Sequence, residues 1–127
     1  MSTPSEIVTA FCAEWDTGDR FREAIRSYFT PDTVWENVGM VTTTGIDEAI
    51  GLIDEFDRKA GFAAISVDMI SIAATGNSVL TERADHMLDK DGKKLLTMRV
   101  MGIFVIEGGR VTEWRDYFDT AALAPFS

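Results

Sequence analysis

Apolar residues recur at helical spacing up to Gly61 and alternate with polar residues in much of the remaining chain. Three helices are predicted in the first part. The first begins at residues 3–6, where Thr-Pro-Ser-Glu offers an N-cap, a proline at the first helical position and an acid at the third, and it ends at Gly18. The second is short and is stopped by Pro31, and the third runs from a similar capping pattern at Thr44 to Gly61.

The part of the chain after Phe62 alternates apolar and polar residues, which predicts β-strands. Strands are predicted at residues 33–38, 65–74, 78–88, 95–106 and 111–118. Short glycine-containing turns separate the last four, so these become antiparallel neighbours. We predict an α+β fold, with residues 1–127 as a single domain. Three helices would pack on a strongly curved, cone-shaped mixed or antiparallel sheet, and the segment from residue 120 would lie across its open end.

The charge and composition of the chain argue against several classes of function. With a formal net charge of −9, the protein is not expected to bind nucleic acid or an anionic membrane. No apolar run reaches transmembrane length, and the first residues lack the basic and apolar regions of a signal peptide. Cys12, the only cysteine, falls on the apolar stripe of the first helix and is interpreted as a buried structural thiol. A cytoplasmic protein is predicted.

One carboxylate of the last predicted strand falls on an apolar face. Period-two alternation places Trp114, Asp116 and Phe118 on the same side of the sheet. A carboxylate between two large aromatic side chains is costly to bury unless it is hydrogen-bonded or paired with a cation. Asp116 is therefore either a satisfied structural carboxylate or part of a functional site.

Arg83 and Asp85 could supply a cation and a second carboxylate to such a site. They share a face with Val79 and Met87, but the opposite face of the same strand carries Leu80 and other apolar residues. The alternation therefore leaves open which face is inside. If the face is outside, the two residues form a solvated ion pair. If it is inside, one guanidinium can hold two carboxylates, an arrangement suited to acid–base chemistry.

Other polar residues have simple structural explanations. On the short strand, Trp35 and Asn37 share a face, where Trp35 would by default be core and Asn37 could satisfy backbone groups. His86 alternates away from Asp85 and is expected on the surface or in packing. With one cysteine, one histidine and no tight group of carboxylates, the sequence predicts no metal site.

The order of elements and two short motifs carry a resemblance to known proteins. Helix–helix–strand–helix followed by four antiparallel strands resembles the cone fold of nuclear transport factor 2-like (SnoaL-like) proteins. Within that superfamily, Glu-Arg-Ala-Asp at residues 82–85 and Trp-Arg-Asp-Tyr-Phe-Asp at residues 114–119 resemble the limonene-1,2-epoxide hydrolase family. The resemblance implies a cofactor-independent, homodimeric enzyme that opens an epoxide in one step, without a covalent intermediate.

The same resemblance implies a role for each site residue. Asp116 would be the general base that deprotonates a water, Asp85 the general acid that protonates the epoxide oxygen, and Arg83 the bridge between them. The family also holds the water with a Tyr and an Asn two residues apart. Asn37 matches the Asn, whereas Trp35 stands at the Tyr position. An indole N–H can donate a hydrogen bond but cannot accept one.

Face sharing along the strands predicts an apolar pocket wall. Its predicted members are Met87, Met98, Val100, Phe104, Trp114 and Phe118. Such a lining suits a small apolar, terpene-like or alicyclic epoxide, with water as the second substrate. The change at Trp35 keeps a second hypothesis open. In it the chain is a ligand-binding, isomerase-type or polyketide-cyclase-type member of the same fold, with little or no epoxide hydrolysis.

Overall fold

A computed structural model describes the backbone of residues 2–126 and the side chains of residues 2–124. Within this range the helices are α1 (Pro4–Ala13), α2 (Gly18–Tyr28) and α3 (Gly45–Ala60), and none of them is long and apolar enough to cross a membrane. The strands are β1 (Phe29–Asn37), β2 (Val41–Thr44), β3 (Ala64–Thr75), β4 (Ser78–Leu88), β5 (Lys94–Glu107) and β6 (Arg110–Tyr117). A 3₁₀ helix over Thr120–Phe126 follows β6.

The six strands form one mixed, open sheet. Their order is β2-β1-β6-β5-β4-β3, and β3 to β6 make the predicted antiparallel meander. β1 is parallel to β6 and antiparallel to β2, so it lies inside the sheet although it is first along the chain. In the described residues the edge strands β2 and β3 do not pair with each other, so the sheet does not close. The predicted α+β fold, with three helices on a curved sheet, is confirmed.

The start of α1 and the end of α3 are where the sequence predicts them. Thr3 and Glu6 form a capping box, in which each side chain accepts a hydrogen bond from the other residue's backbone N–H. Gly61 ends α3 in the left-handed conformation with φ of 70°. Thr44 is the N-cap residue of α3, although its side chain makes no capping hydrogen bond.

The prediction that Gly18 ends the first helix is wrong. α1 stops at Ala13, and Gly18 is instead the first residue of α2. Thr17 caps this helix by accepting a hydrogen bond from the backbone N–H of Arg20. Gly18 lies close to other backbone, because a Cβ added there would be 3.2 Å from the carbonyl oxygen of Ala63. Close packing, rather than helix termination, explains the glycine.

The first strand is longer than predicted. β1 starts at Phe29, so α2 ends at Tyr28 and Pro31 lies within the strand instead of stopping the helix. The pairing of β1 with β6 is irregular between Phe29 and Val34, and such a stretch tolerates a residue that has no backbone N–H. The alternation does not predict β2, because four residues beside a turn are too few to show a period.

An aromatic core fills the space between the helices and the sheet. Trp114 on β6 stacks on Trp35 with centroids 4.4 Å apart and on Trp15 with centroids 4.9 Å apart. Phe11 of α1 meets Trp114 edge-on at 5.6 Å. These contacts fix α1 against β1 and β6. Trp35 and Trp114 also form part of the cavity described below.

Candidate active site

A single row of residues crosses the inner face of four neighbouring strands. The register pairs Asn37 on β1 with Asp116 on β6, Asp116 with Gly102 on β5, and Gly102 with Thr81 on β4. Directly paired residues of neighbouring strands point to the same side of a sheet. The polar side chains of this row therefore gather on the face that the helices cover.

Arg83 joins two carboxylates beside this row. Its side chain is fully buried, so the face of β4 that carries Arg83 and Asp85 points inward. The alternation of apolar and polar residues alone leaves this orientation open. Nη2 donates to Oδ2 of Asp85 and to Oδ2 of Asp116, both at 2.9 Å, and Nε donates to Oδ1 of Asp85 at 3.1 Å. Nη1 donates to Oγ1 of Thr81 at 3.0 Å. The expected convergence of Arg83, Asp85 and Asp116 is present.

Asp116 also accepts a hydrogen bond from the aromatic core. Nε1 of Trp114 donates to Oδ1 of Asp116 at 2.8 Å. The Trp114 ring is held in place by its stacking on Trp35 and Trp15. The orientation of the carboxylate is thus set by the core on one side and by the guanidinium on the other. A carboxylate oxygen can accept about two hydrogen bonds, so both oxygens retain capacity for a water or a ligand.

Burial and charge act in opposite directions on this network. Burial alone would lower the pKa of Arg83, but the neighbouring carboxylates of Asp116 and Asp85 outweigh it and raise that pKa, so the guanidinium stays charged. Burial raises the pKa of Asp116, and the Arg83 cation opposes this effect only in part. Asp116 is therefore a stronger base than an exposed aspartate.

The prediction that Phe104 is a pocket wall is wrong. The residue lies on the inner face as the alternation predicts, but it is fully buried in the core and is absent from the cavity lining. Its ring centroid lies 5.5 Å from Cζ of Arg83, and the ring of Trp15 lies at 5.6 Å. Phe104 therefore supports the guanidinium through a cation–π contact instead of meeting a ligand.

An apolar cavity opens beside the two carboxylates. Its empty space, including the open mouth, is about 620 Å³, and its polar lining side chains include Asn37, Asp85 and Asp116. Five predicted wall residues line it, namely Met87, Met98, Val100, Trp114 and Phe118. The helices and loops supply further wall residues, which face sharing along strands cannot predict. They include Phe21, Leu52, Ile53, Phe56, Phe62 and Leu123. Leu123 belongs to the 3₁₀ helix, so the C-terminal segment reaches the cavity as predicted.

Trp35 and Asn37 both line this cavity. Trp35 is only 6% exposed, and its ring lies nearly parallel to that of Trp114, with an angle of 9° between the planes. Its Nε1 is buried and has no hydrogen-bond partner among the described residues. A buried donor without a partner is uncommon. Stacking on Trp114 thus fixes the Trp35 ring, and its N–H is a donor that no described residue uses.

The remaining candidates lie outside the cavity. His86 is on the outer face, where Nε2 meets Oδ2 of Asp68 and Nδ1 meets Oγ1 of Thr97, both at 2.8 Å. Cys12 is buried in the core as predicted, and burial raises the pKa of its thiol. Among residues 2–126, no group of three or more His, Cys, Asp and Glu side chains could hold a metal ion.

Two residues of the network are not singled out by the sequence patterns. Oγ1 of Thr81 accepts from Arg83 and donates to the carbonyl oxygen of Gly102 at 3.1 Å. Gly102 lies beneath the guanidinium, because a Cβ added there would collide with Nη1 of Arg83. The available signal is a glycine inside a strand, which often marks the close approach of another group.

The chain also matches known proteins in sequence. The family model of the limonene-1,2-epoxide hydrolase (LEH) catalytic domain matches residues 2–125. Epoxide hydrolase EphG of Mycobacterium tuberculosis is 38% identical over 88 residues, or 69% of this chain. The matched region spans 56% of the length of EphG.

Solved structures agree in fold. An LEH-like epoxide hydrolase from M. tuberculosis has a TM-score of 0.73 and 29% identity, with 94% of this chain and 84% of that chain covered. A ketosteroid isomerase-like protein from Catenulispora acidiphila has a TM-score of 0.77 and 21% identity, with 98% and 94% covered. A putative SnoaL-like polyketide cyclase from Shewanella putrefaciens has a TM-score of 0.74 and 14% identity, with 99% and 86% covered. The last two show the fold alone. Since the LEH model spans nearly all of the sequence, the chain belongs to the limonene-1,2-epoxide hydrolase family.

Proposed function

We propose that the protein hydrolyses a small apolar epoxide to a vicinal diol by direct attack of water. The observation that carries this proposal is one buried guanidinium joining two carboxylates that both reach an apolar cavity. Asp116 would act as the general base, Asp85 as the general acid, and Arg83 as the group that orients both. Two carboxylates in different environments around one cation can hold different protonation states, which acid–base catalysis requires.

Asp116 removes a proton from water while the water oxygen attacks an epoxide carbon, the carbon–oxygen bond breaks, and the Asp85 carboxyl group, in the role of general acid, gives a proton to the departing oxygen. The two carboxyl groups end with their protonation states exchanged, and proton exchange with solvent resets them. Asn37, which is paired with Asp116 across the β1–β6 register and lines the cavity, would hold the water.

The lining of the cavity supports an alicyclic or terpene-like substrate. Carbon and sulfur atoms dominate the lining beyond the two carboxylates, so an extended polar substrate would lose hydrogen bonds on entry. Met87 and Met98 are adaptable side chains and favour tolerance of several ring sizes.

We expect the acid limb of the pH profile to lie above the usual carboxyl range. Burial raises the pKa of Asp116. A general base must be ionised to work, so activity should be lost as the pH falls through that raised pKa and be present above it. A plot of log kcat/KM against pH reports the pKa of the free enzyme. A limb at the ordinary Asp value, near 3.9 as an approximate reference, would contradict the role given to Asp116.

Trp35→Tyr should hydrolyse small epoxides at least as fast as the wild type, with an expected gain of up to severalfold. A phenol can donate to and accept from a water, whereas the indole can only donate. One recovered hydrogen bond is worth roughly 0.5–1.5 kcal/mol, which corresponds to about a two- to tenfold rate change. The measurement is kcat/KM for cyclohexene oxide together with Tm, because a smaller ring loses stacking on Trp114. Trp35→Phe is the matched control for ring size; equal rates for the two variants would contradict the hydroxyl's role.

We also propose that the protein is a homodimer formed through the outer face of the sheet. Leu80, Met101 and Tyr117 are each at least 40% exposed on this face, where an apolar partner surface would cover them. Sedimentation should give the mass of two chains, and a monomer across the micromolar range would contradict the proposal. The cytoplasmic location suggested by the sequence stays a prediction.

The test of function is diol formation from limonene oxide and cyclohexene oxide by the purified protein. Diol should appear at a rate proportional to enzyme concentration, and an Asp116→Asn preparation made in parallel measures spontaneous hydrolysis. The second hypothesis, a ligand-binding or isomerase-type protein, is favoured by Trp35, whose N–H has no partner among the described residues. If the folded protein binds apolar ligands but turns over no epoxide in a panel of cyclic and linear substrates, that hypothesis replaces ours.

A further inference from the structure

The guanidinium of Arg83 has to cross an entire strand to reach Asp116. Arg83 is on β4 and Asp116 is on β6, with β5 between them. Neighbouring strands are about 4.8 Å apart, so the two backbones are separated by roughly 10 Å. The side chain therefore lies over the inner face of β5, and it does so at Gly102, which is paired with Asp116 on one side and with Thr81 on the other.

Gly102 has no side chain, unlike the large apolar residues beside it on the inward face of β5. The other buried, inward-facing residues of this strand are Met98, Val100, Phe104 and Ile106. The glycines with positive φ do not include Gly102, so the backbone conformation does not require glycine there. Glycine in the interior of a strand is otherwise unfavourable. The reason for it must be the space above it.

That space is occupied by the site itself. A Cβ added at residue 102 would lie less than 3.0 Å from Oδ1 of Asp116 and from Nη1 of Arg83, and 3.3 Å from Oγ1 of Thr81. All three are side-chain atoms. The nearest obstacles to a methyl group at this position are therefore the carboxylate and the guanidinium, which it would displace.

We propose that Gly102 and Thr81 are positioning residues: the missing side chain at 102 opens the path through which Arg83 bridges the two carboxylates, and the Thr81 hydroxyl locks the guanidinium in that path. This inference rests on the proposed function for its effect on catalysis. Its structural part, the Arg83–Asp116 contact, can be tested without turnover.

The hydroxyl of Thr81 has a fixed direction. Its one hydrogen is donated to the carbonyl oxygen of Gly102, so a lone pair faces Nη1 of Arg83. The guanidinium is planar, so an acceptor at Nη1 restricts the plane in which Nη2 meets Asp116. Thr81 touches neither the cavity nor a reacting atom, and it acts through Arg83.

The first variant is Gly102→Ala, compared with Gly51→Ala as a matched control. Gly51 lies in α3, and a Cβ added there meets nothing within 4 Å. Gly102→Ala should lower kcat for cyclohexene oxide by about 100-fold or more, the scale of losing acid–base catalysis, with KM within about threefold. Gly51→Ala should keep wild-type kinetics. A Gly102→Ala protein with wild-type kcat would overturn the proposal.

The second readout does not depend on activity. In protein labelled with ¹³C at aspartate carboxyl groups, the Asp116 signal is identified by its loss in Asp116→Asn, and its titration is followed with pH. Because the Arg83 cation holds the Asp116 pKa down against burial, Gly102→Ala should move this titration to higher pH. An unmoved titration would overturn the inference, even if the wild type proves inert on epoxides.

Thr81→Val tests the proposed positioning of Arg83 if Gly102→Ala does not fold. Valine keeps the shape of threonine and removes the hydroxyl, and with it both the acceptor for Nη1 of Arg83 and the donor to the carbonyl oxygen of Gly102. We expect kcat to fall by about tenfold with little change in KM, and Thr81→Ser, which keeps the hydroxyl, to fall clearly less. Equal kcat values for the Val and Ser variants would show that Thr81 contributes packing alone and would overturn its role.

Discussion

Asp116→Asn should lower kcat for epoxide hydrolysis by about 10²–10⁴-fold and leave the fold intact. The side chain keeps its size, and an amide oxygen can still accept from Nε1 of Trp114. What is lost is the ability to take a proton from water. Asp85→Asn should lower kcat on the same scale, because it removes the proton that the departing oxygen needs. Initial rates of diol formation, with circular dichroism and Tm for each variant, provide the measurement.

Asp68→Asn is the control for these two variants. Asp68 pairs with His86 on the outer face, where its side chain is 71% exposed, so its replacement should leave kcat unchanged. A folded Asp116→Asn or Asp85→Asn protein with near-wild-type turnover would show that the residue concerned is structural. The satisfied-carboxylate interpretation of Asp116 would then be the right one.

Arg83→Met should abolish turnover and also cost about 3–5 kcal/mol of unfolding free energy at neutral pH. Removing one partner from a buried ion network leaves charge without compensation, and here two carboxylates lose their shared cation. Without Arg83, the pKa of Asp116 should rise further above its already raised value. A raised folded-state pKa contributes stability below the unfolded pKa and loses it as the pH rises. The difference in unfolding free energy between the wild type and Arg83→Met should therefore become smaller as the pH is lowered.

Urea unfolding of both proteins from neutral to mildly acidic pH measures this effect. Arg99→Met is the matched control, since Arg99 is exposed on the outer face and pairs with Glu82 there. Its loss should cost at most about 1 kcal/mol, as for other surface ion pairs. If Arg83→Met proves no less stable than Arg99→Met, the ion pairs of Arg83 with Asp85 and Asp116 do not stabilise the fold.

Local sequence patterns predict the antiparallel β3–β6 part of the sheet. They do not predict the helix ends and the short strand that come before it. Short turns between alternating segments predict the β3–β6 meander, because a tight hairpin fixes both direction and pairing. Pro31 and Gly18 mislead because each normally ends a helix, and only the tertiary structure places Pro31 in an irregular pairing and Gly18 against Ala63. A four-residue strand such as β2 leaves no periodic signal.

The site was predictable where one strand alone carries the information. Asp116 is assigned to the inner face by its aromatic neighbours in sequence, and it is found there. β4 has apolar residues on both faces, so only the hydrogen bond from Arg83 to Asp116, 33 residues away, settles its orientation. Gly102 escapes such reasoning because the space above it is defined by side chains from two other strands. Phe104 is misassigned because α1 packs on its ring through Phe11, and strand alternation gives no information on where a helix packs.

Water, and not a carboxylate, is expected to attack the epoxide. A single turnover with enzyme in excess, run in ¹⁸O-labelled water, tests it directly. Direct attack on water activated by Asp116 predicts one labelled oxygen in the diol and no label in the protein. Unlabelled diol, with ¹⁸O recovered in the carboxyl group of Asp116, would show a covalent ester intermediate and rule out direct attack by water.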